Sequence, residues 1–401
     1  MPTGANGSLR IDWADGQMPV LKSIRERFSR DRPLEGLVVG LCLHITSETG
    51  VLVRALSAGG ADVVLCASNP YATQADVALA LRDVAEVHAG PPETWAEDVA
   101  AVAARAPRIA LDDGADLLTA MHAVPSLLDG MLGGTEETTT GLARLRAMEL
   151  AVPVLAVNEA RAEKALNDRF GTGQSVLDGI LRTTNILLAG QTVVVFGYGW
   201  TGRGVALAAH GLGATVIVCE VDPLRALEAR MEGFAVMPAL EAASRGDVFI
   251  TVTGGQDVLR AEHFALMRDG AVLANAGHFD VEISLPDLRA AAVEVRDVLP
   301  LVQQYDLGGR RLNLLAGGRV VNLAAAEGHP AAVMDVSFAL QALAAEALAT
   351  ETFPPGVHPV PDRIEREVAA LKLAALGVEI DTLTPDQAAY RSLTSSPPLG
   401  R

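Results

Sequence analysis

Short apolar runs rich in β-branched residues alternate with helical patterns along most of the chain. LVVGLCL (37–43) precedes a helical stretch near 48–58, and ADVVLCA (61–67) precedes TQADVALALRDV. RIALDD (108–113) and VPVLAV (152–157) continue the series. The runs are continuous rather than alternating, as parallel strands covered on both faces require. A second series begins near residue 190 with TVVVFG, a helix and TVIVCE, followed later by DVFITV and AVLANA. A helical connection that includes SVLDGILRTTN lies between them. The pattern predicts an α/β fold with two open, doubly wound parallel-sheet domains. After about residue 325 it turns helical. SFALQALAAEALA carries a long alanine-rich apolar face, FPPGVHPVP reads as a break, and IEREVAALKLAALG is amphipathic. SLTSSPPLGR reads as a loose polar tail. No fixed-period repeat is visible.

Composition narrows the function. Half of the 401 residues are apolar, enough for sizeable cores. The net charge of -17 argues against a sequence-independent nucleic-acid binder, which needs a basic footprint, and suits an enzyme with a small-molecule substrate. Cys42, Cys66 and Cys219 are too widely spaced for a disulfide framework or a zinc site and read as buried thiols in a reducing compartment. No signal pattern opens the chain and no apolar run approaches the length of a membrane span, so the expected place is the cytoplasm, with no membrane partner.

GYGWTG places Gly197, Gly199 and Gly202 between a strand and a helix. GxGxxG alone is a weak signal. Here Glu220 ends the following strand, which completes a strand–loop–helix–strand–acid arrangement. The first glycine makes the turn, the second admits a pyrophosphate, and the third lets helix and strand pack closely. A carboxylate at Glu220 accepts ribose hydroxyls and repels a 2′-phosphate, which favours NAD over NADP. A tight turn without ligand is the plain alternative.

Other clusters are ambiguous singly. LHIT puts His44 at the carboxyl end of a strand, and LDDGADL ends another in Asp112 and Asp113, either a helix cap or an acid/base pair. GGTEETTTG (133–141) packs Glu136, Glu137 and three threonines among glycines, suited to capping or to sugar hydroxyls. NAGHFDVEI and VNLAAAEGHP each set a histidine near an asparagine.

Together, LRIDWADGQMPVL, LHITSETGVLVRAL, NPYATQADVALAL, LDDGADL, GGTEETTTG, GTGQSVLDGILRTTN, GYGWTGRG, NAGHFDVEI, GHPAAVMDVSFALQ and GVHPVP resemble the S-adenosyl-L-homocysteine hydrolase (adenosylhomocysteinase) family, in the family's order over nearly the whole chain. The chain looks like the short form, without the lysine- and tyrosine-bearing C-terminal extension that reaches a neighbouring subunit's NAD. The resemblance implies a substrate domain over 1–172, completed by about 328–375, a Rossmann NAD domain over 173–327, and a tail over 376–401. It also implies a homo-oligomer, tetramer or dimer, for which the apolar helix at 337–349 offers a surface, although burial within the subunit explains that helix as well.

The family oxidises the nucleoside 3′-hydroxyl with resident NAD. The ketone acidifies the C4′ proton, the 5′ substituent leaves, water adds at C5′, and the ketone is reduced back. Carried over by position, Thr46, Glu48, Gln74, His329 and Met334 should meet the adenine nucleoside. His44 and Asp113 should be acid/base groups, Glu137 should hold a ribose hydroxyl, and His278 should sit at the ribose end. Thr138, Thr139, Thr140, Gly197, Gly199, Trp200, Thr201, Gly202, Glu220, Asn275 and Asn322 should contact NAD.

One stretch departs from the family. In NEARAEKALNDRFG (158–171) the family's ribose-binding lysine and aspartate positions are Glu163 and Asn167. Lys164 and Asp168 are also four apart, and a one-residue slip would turn the helix by about 100° and restore the pair. Ala72 and Ala75 depart from the family's serine and aspartate near the homocysteine end or closing hinge. Three functions follow as expectations. The first is a diverged enzyme, for example one that dehydrates a 5′-hydroxyl nucleoside to a 4′,5′-unsaturated product in nucleoside-antibiotic biosynthesis. The second is an ordinary S-adenosyl-L-homocysteine hydrolase, and the third an inactive NAD- or adenosine-binding relative.

Overall fold

The computed structural model describes residues 3–277 and 279–394. The first sheet opens with β1 (Val38–Leu43), β2 (Asp62–Ala67), β3 (Glu86–His88), β4 (Ile109–Asp112), β5 (Gly133–Glu136) and β6 (Pro153–Ala156). The second contains β7 (Thr192–Phe196), β8 (Thr215–Cys219), β9 (Ala235–Val236), β10 (Val248–Thr251), β11 (Ala271–Asn275), β12 (Glu294–Leu299), β13 (Val302–Asp306) and β14 (Arg311–Leu315). The chain then returns to the first sheet with β15 (Gly356–Pro359), parallel to β6. The orders are β15-β6-β5-β4-β1-β2-β3 and β12-β13-β14-β11-β10-β7-β8-β9. The first sheet is parallel throughout. The second is parallel except that β13 runs antiparallel to both β12 and β14.

Seven strands lie outside the apolar runs read as strands, namely β3, β5, β9, β12, β13, β14 and β15, and two of them show why. β5 lies in GGTE, which looks like loop because half of it is glycine. A Cβ on Gly134 would stand 2.9 Å from the Ala110 carbonyl and 3.0 Å from Leu118, so close packing rather than looseness selects glycine there. β15 falls in the stretch that reads as a break. It is an edge strand, where proline costs no ladder hydrogen bond.

The Ala331–Thr350 helix is apolar and long enough to cross a membrane by length and composition, but 78% of its apolar window is buried. It packs on β4 and β5 and on the helices Pro19–Asp31, Ser47–Ala58 and Asp362–Ala375. Its apolar face is therefore core of the subunit rather than an open surface. Buried Asp335 on this helix accepts from the Val20 and Leu21 amides at 3.3 and 2.9 Å, capping a helix with no side-chain cap of its own, and pairs with Lys372 Nζ at 2.8 Å. The three cysteines are buried free thiols. The segment expected as tail contains a helix, Pro385–Thr394.

Each sheet has one point where the chain leaves in both directions. In the first, β1 leads outward to β2 and β3, while β4, β5 and β6 stack on its other side. In the second, β7 leads to β8 and β9, with β10 and β11 opposite. Ligands of open α/β sheets bind outside the carboxyl ends at such points.

Candidate active site

At the first switch point His44 follows β1 and Asp113 follows β4. His44 Nε2 lies 3.3 Å from Asp113 Oδ2, which also accepts from Ser68 Oγ at 3.1 Å. His44 Nδ1 is buried without a hydrogen-bond partner, an atom that needs a ligand. The neighbouring acids divide the two readings between them. Fully buried Asp112 accepts from the Leu118 and Asp113 amides at 2.8 and 3.1 Å and so holds the Asp116–His122 helix, and burial pushes its carboxyl up to about 7. Asp113 instead pairs with His44 and Ser68.

The loop after β5 divides in the same way. Buried Glu136 accepts from the Gly114 and Thr138 amides and from Thr138 Oγ, organising the loop, while Glu137 receives Gln341 Nε2 at 3.3 Å. Burial, and then the charge of Glu163, push the Glu137 carboxyl well above its ordinary range. Thr138 caps the Thr139–Arg146 helix, Thr140 Oγ reaches Thr138 Oγ at 3.4 Å, and Thr139 Oγ donates to Asn158 Oδ1 at 2.9 Å.

Residues Glu163–Gly171 wind as a π-helix. Each such wide turn inserts a residue relative to an α-helix and resets which side chains face which way. Lys164 Nζ donates to Asn158 Oδ1 at 3.0 Å and to Asp168 Oδ2 at 2.9 Å, and both side chains keep about a fifth of their surface exposed. Glu163 and Asn167, expected at the ribose, are buried and bonded to Ser337 of the Ala331–Thr350 helix. Ser337 Oγ donates to Glu163 Oε2 at 2.5 Å, and Asn167 Nδ2 donates to Ser337 Oγ at 2.8 Å and to Glu163 Oε1. Beside Asn158 and Thr139 the strip carries Lys164 and Asp168, the pair that the one-residue slip would bring there.

The C-terminal return brings His329 to the same edge. Its Nε2 lies 3.0 Å from Thr172 Oγ and 3.5 Å from Asn322 Nδ2, and burial with His44 nearby lowers its ring to about 4. A neutral ring results. Met334 Sδ lies 3.8 Å from Asn167 Nδ2. Thr46 caps the Ser47–Ala58 helix just after His44; Glu48 accepts from Ser47 Oγ, and Gln74 Oε1 from the Ser47 amide, both at 3.1 Å. Between the domains a cleft of ≈ 230 Å³ is lined by Asn69, Tyr71 and Ala72 on one side and by Arg319, Val320 and Leu323 on the other. Ala75 opens the helix that follows, Ala75–Leu81.

At the second switch point Gly197 has φ +96°, and a Cβ on Gly202 would overlap the Gly197 carbonyl. Gly199 precedes the Trp200–Gly211 helix with no side-chain cap, so the first-turn amides around Trp200 and Thr201 stay available to an anion. Glu220 Oε2 accepts from the Tyr198 amide at 2.7 Å and Oε1 from the Val221 and Asp222 amides, which fixes its carboxylate at the end of β8. Asn322 Oδ1 is buried and unpartnered. A cradle closed to a Cβ at Gly197 and Gly202, an open helix N-terminus, an oriented acid and an orphan acceptor fit a dinucleotide. The side chain of Asn275, expected to contact NAD, is taken up by protein groups. Its Oδ1 accepts from Thr251 Oγ and the Gly277 amide, and its Nδ2 donates to the Phe279 and Gly318 carbonyls. Fully buried and saturated, it ties loops together and has no capacity left for NAD. His278 lies outside the described residues.

Sequence reasoning missed Ser337, Gln341 and Glu282. The first two are polar, four apart, on a largely apolar helix, a signal available in principle. Buried Glu282 accepts from the Thr253 and Gly254 amides beside the dinucleotide loop, and nothing local marks it.

Two family models match: S-adenosyl-L-homocysteine hydrolase over residues 2–128, and the NAD binding domain of S-adenosyl-L-homocysteine hydrolase over 168–328. The chain is 53% identical to adenosylhomocysteinase of Aquifex aeolicus over 399 residues, covering 96% of each. It is 51% identical to that of Gloeobacter violaceus over 401 residues, covering 97% of this chain and 94% of the other. It is also 50% identical to an S-inosyl-L-homocysteine hydrolase of Methanosarcina acetivorans over 395 residues, covering 96% of each.

Proposed function

The chain belongs to the S-adenosyl-L-homocysteine hydrolase family, whose cofactor is NAD, and from that premise we propose that it hydrolyses S-adenosyl-L-homocysteine to adenosine and homocysteine. The observation that carries the reading is the Lys164–Asp168 pair beside Asn158, with Glu137 and the His44–Asp113 pair on the same sheet edge. The 197–202 loop, Glu220 and Asn322 would hold NAD, which would supply reversible oxidation at the 3′ carbon. Lys164 and Asp168 orient and deprotonate the 3′-hydroxyl. Glu137 binds the neighbouring hydroxyl. His44 and Asp113 move protons at C4′ and C5′ as homocysteine thiolate leaves and water adds. The motive for a diverged dehydration was an acid and an amide at the ribose. With Lys164 and Asp168 on that strip, the motive falls away.

Purified protein with NAD and S-adenosyl-L-homocysteine should release adenosine and a thiol. A 5′-hydroxyl nucleoside should give no 4′,5′-unsaturated product. No thiol release from protein with bound NAD, or formation of the unsaturated product, would overturn the reading. The inosyl relative raises a second base, hypoxanthine. Glu48 favours adenine, because a carboxylate accepts from a 6-amino group and repels a 6-oxo oxygen. A higher kcat/KM for the inosyl substrate would reverse that choice.

A further inference from the structure

Glu163 has no part in the reaction just described, yet it is 2% exposed and holds two hydrogen bonds. The bonds form a closed ring. Glu163 accepts from Ser337 and from Asn167, and Ser337 accepts the second Asn167 N–H. Both amide hydrogens and the serine hydroxyl hydrogen are therefore spoken for, and the ring fixes the orientation of the Asn167 amide. Its Oδ1 is left buried and without a partner. The place a Cβ would take on Gly171 is 2.9 Å from this oxygen and 3.4 Å from His329 Cγ. A Cβ there would also meet Val333 Cγ1 at 3.0 Å, so only glycine fits beside the acceptor, which lies near His329 at the edge where the nucleoside is read to bind.

We propose that Glu163 is a positioning residue: through Ser337 it fixes the Asn167 amide so that Oδ1 accepts a hydrogen bond from a hydroxyl or N–H of the nucleoside, and it pins the π-turn in the register that gives Lys164 and Asp168 to the ribose. The proposal rests on the function above for the identity of the ligand. The groups facing Glu163 are Lys164 and Asp168 on its own element and Glu137 on the loop after β5; the Ala331–Thr350 helix adds only neutral Ser337. Burial pushes the Glu163 carboxyl up to about 7, consistent with an acid kept for its geometry rather than its charge.

The ring can be broken and rebuilt. Glu163→Gln leaves one acceptor where two are needed, so the Asn167 amide turns over and shows the ligand a donor. Asn167→Asp alone sets two carboxyls against one serine. Together, Glu163→Gln with Asn167→Asp restores the ring, with the introduced glutamine amide donating, and returns an acceptor oxygen to the pocket. Adenosine is titrated into each NAD-bound holoenzyme by calorimetry, with circular dichroism and thermal midpoints confirming the fold. Each single variant should weaken adenosine about tenfold, the scale of one hydrogen bond, and the pair should return to within about threefold of the parent. Ser337→Ala, which removes one leg of the ring, should give a smaller loss and serves where Glu163→Gln does not fold. Analogues lacking one hydroxyl, or carrying an N-methylated base, locate the donor by losing their sensitivity to Glu163→Gln. Unchanged affinity in Glu163→Gln, or a pair no tighter than its weaker member, would overturn the proposal. Failure of the parent to hydrolyse S-adenosyl-L-homocysteine would fall on the function instead and leave the binding cycle readable.

Discussion

Lys164 Nζ lies 2.9 Å from Asp168 Oδ2, across one wide turn, with Asn158 Oδ1 3.0 Å away on its other side. The aspartate and amide point the ammonium at the sheet edge, and Asn158 links it to Thr139. Lys164→Ala should lower kcat by about 10²–10⁴-fold, the range for loss of one acid/base group, with KM less affected. Glu163→Lys in that background should not recover activity, because position 163 faces Ser337. Recovery would show that the register is the ungapped one after all. Steady-state rates on the two variants decide between them.

The strand series, the dinucleotide loop and the His44 and Asp113 strand ends are legible in the sequence because each rests on a local rule: continuous apolar runs, a glycine spacing, a position at a carboxyl edge. The strip at 163–171 is not, because its facing depends on helix pitch. Residues four apart share a face in an α-helix, so both Glu163/Asn167 and Lys164/Asp168 satisfy the rule, and only the π-turn separates them. Asn275 misleads for a related reason. An asparagine at a strand end looks available until the loops that saturate it are in place, and those arrive from residues 251 to 318.

His44 Nε2 and Asp113 Oδ2 lie 3.3 Å apart, and on the proposed function they would serve proton movement at C4′ and C5′ rather than oxidation at C3′. Asp113→Asn should therefore block thiol release by about 10²-fold or more while leaving the first half-reaction. Adding adenosine to this variant should still produce the absorbance of reduced nicotinamide. Loss of both signals together would place Asp113 in binding or folding.

A Cβ on Gly202 would overlap the Gly197 carbonyl, so helix and loop would have to separate at the point where, on the proposed function, both would meet the pyrophosphate. Gly202→Ala should be isolated with little NAD, measured as nucleotide released on denaturation per protein chain. Glu220→Ala keeps the cradle and loses the acid that orders the Tyr198, Val221 and Asp222 amides. It should bind NAD more weakly and discriminate less against NADP. NAD content equal to the parent in Gly202→Ala would contradict the close-packing argument.

Asp112 gives the stability of the fold a pH dependence of defined sign. Its carboxyl is fully buried, with no cation against it among the described residues, and is raised from 3.8 to about 7, chiefly by desolvation, so the folded state prefers the protonated form. For an acid whose folded value is raised, the stabilising contribution is complete below the unfolded value and is lost as pH climbs through the folded one. Between about pH 4 and 7 this residue should therefore lower stability as pH rises, by at most roughly 1.4 kcal/mol for each pH unit. Asp112→Asn cannot ionise, though it keeps one oxygen to accept from the Leu118 amide. Relative to the parent it should be less stable at pH 5, and the gap should narrow or reverse by pH 7.5. Thermal midpoints of both proteins across that range test the sign, and a gap that widens with pH would mean the folded protein prefers Asp112 ionised.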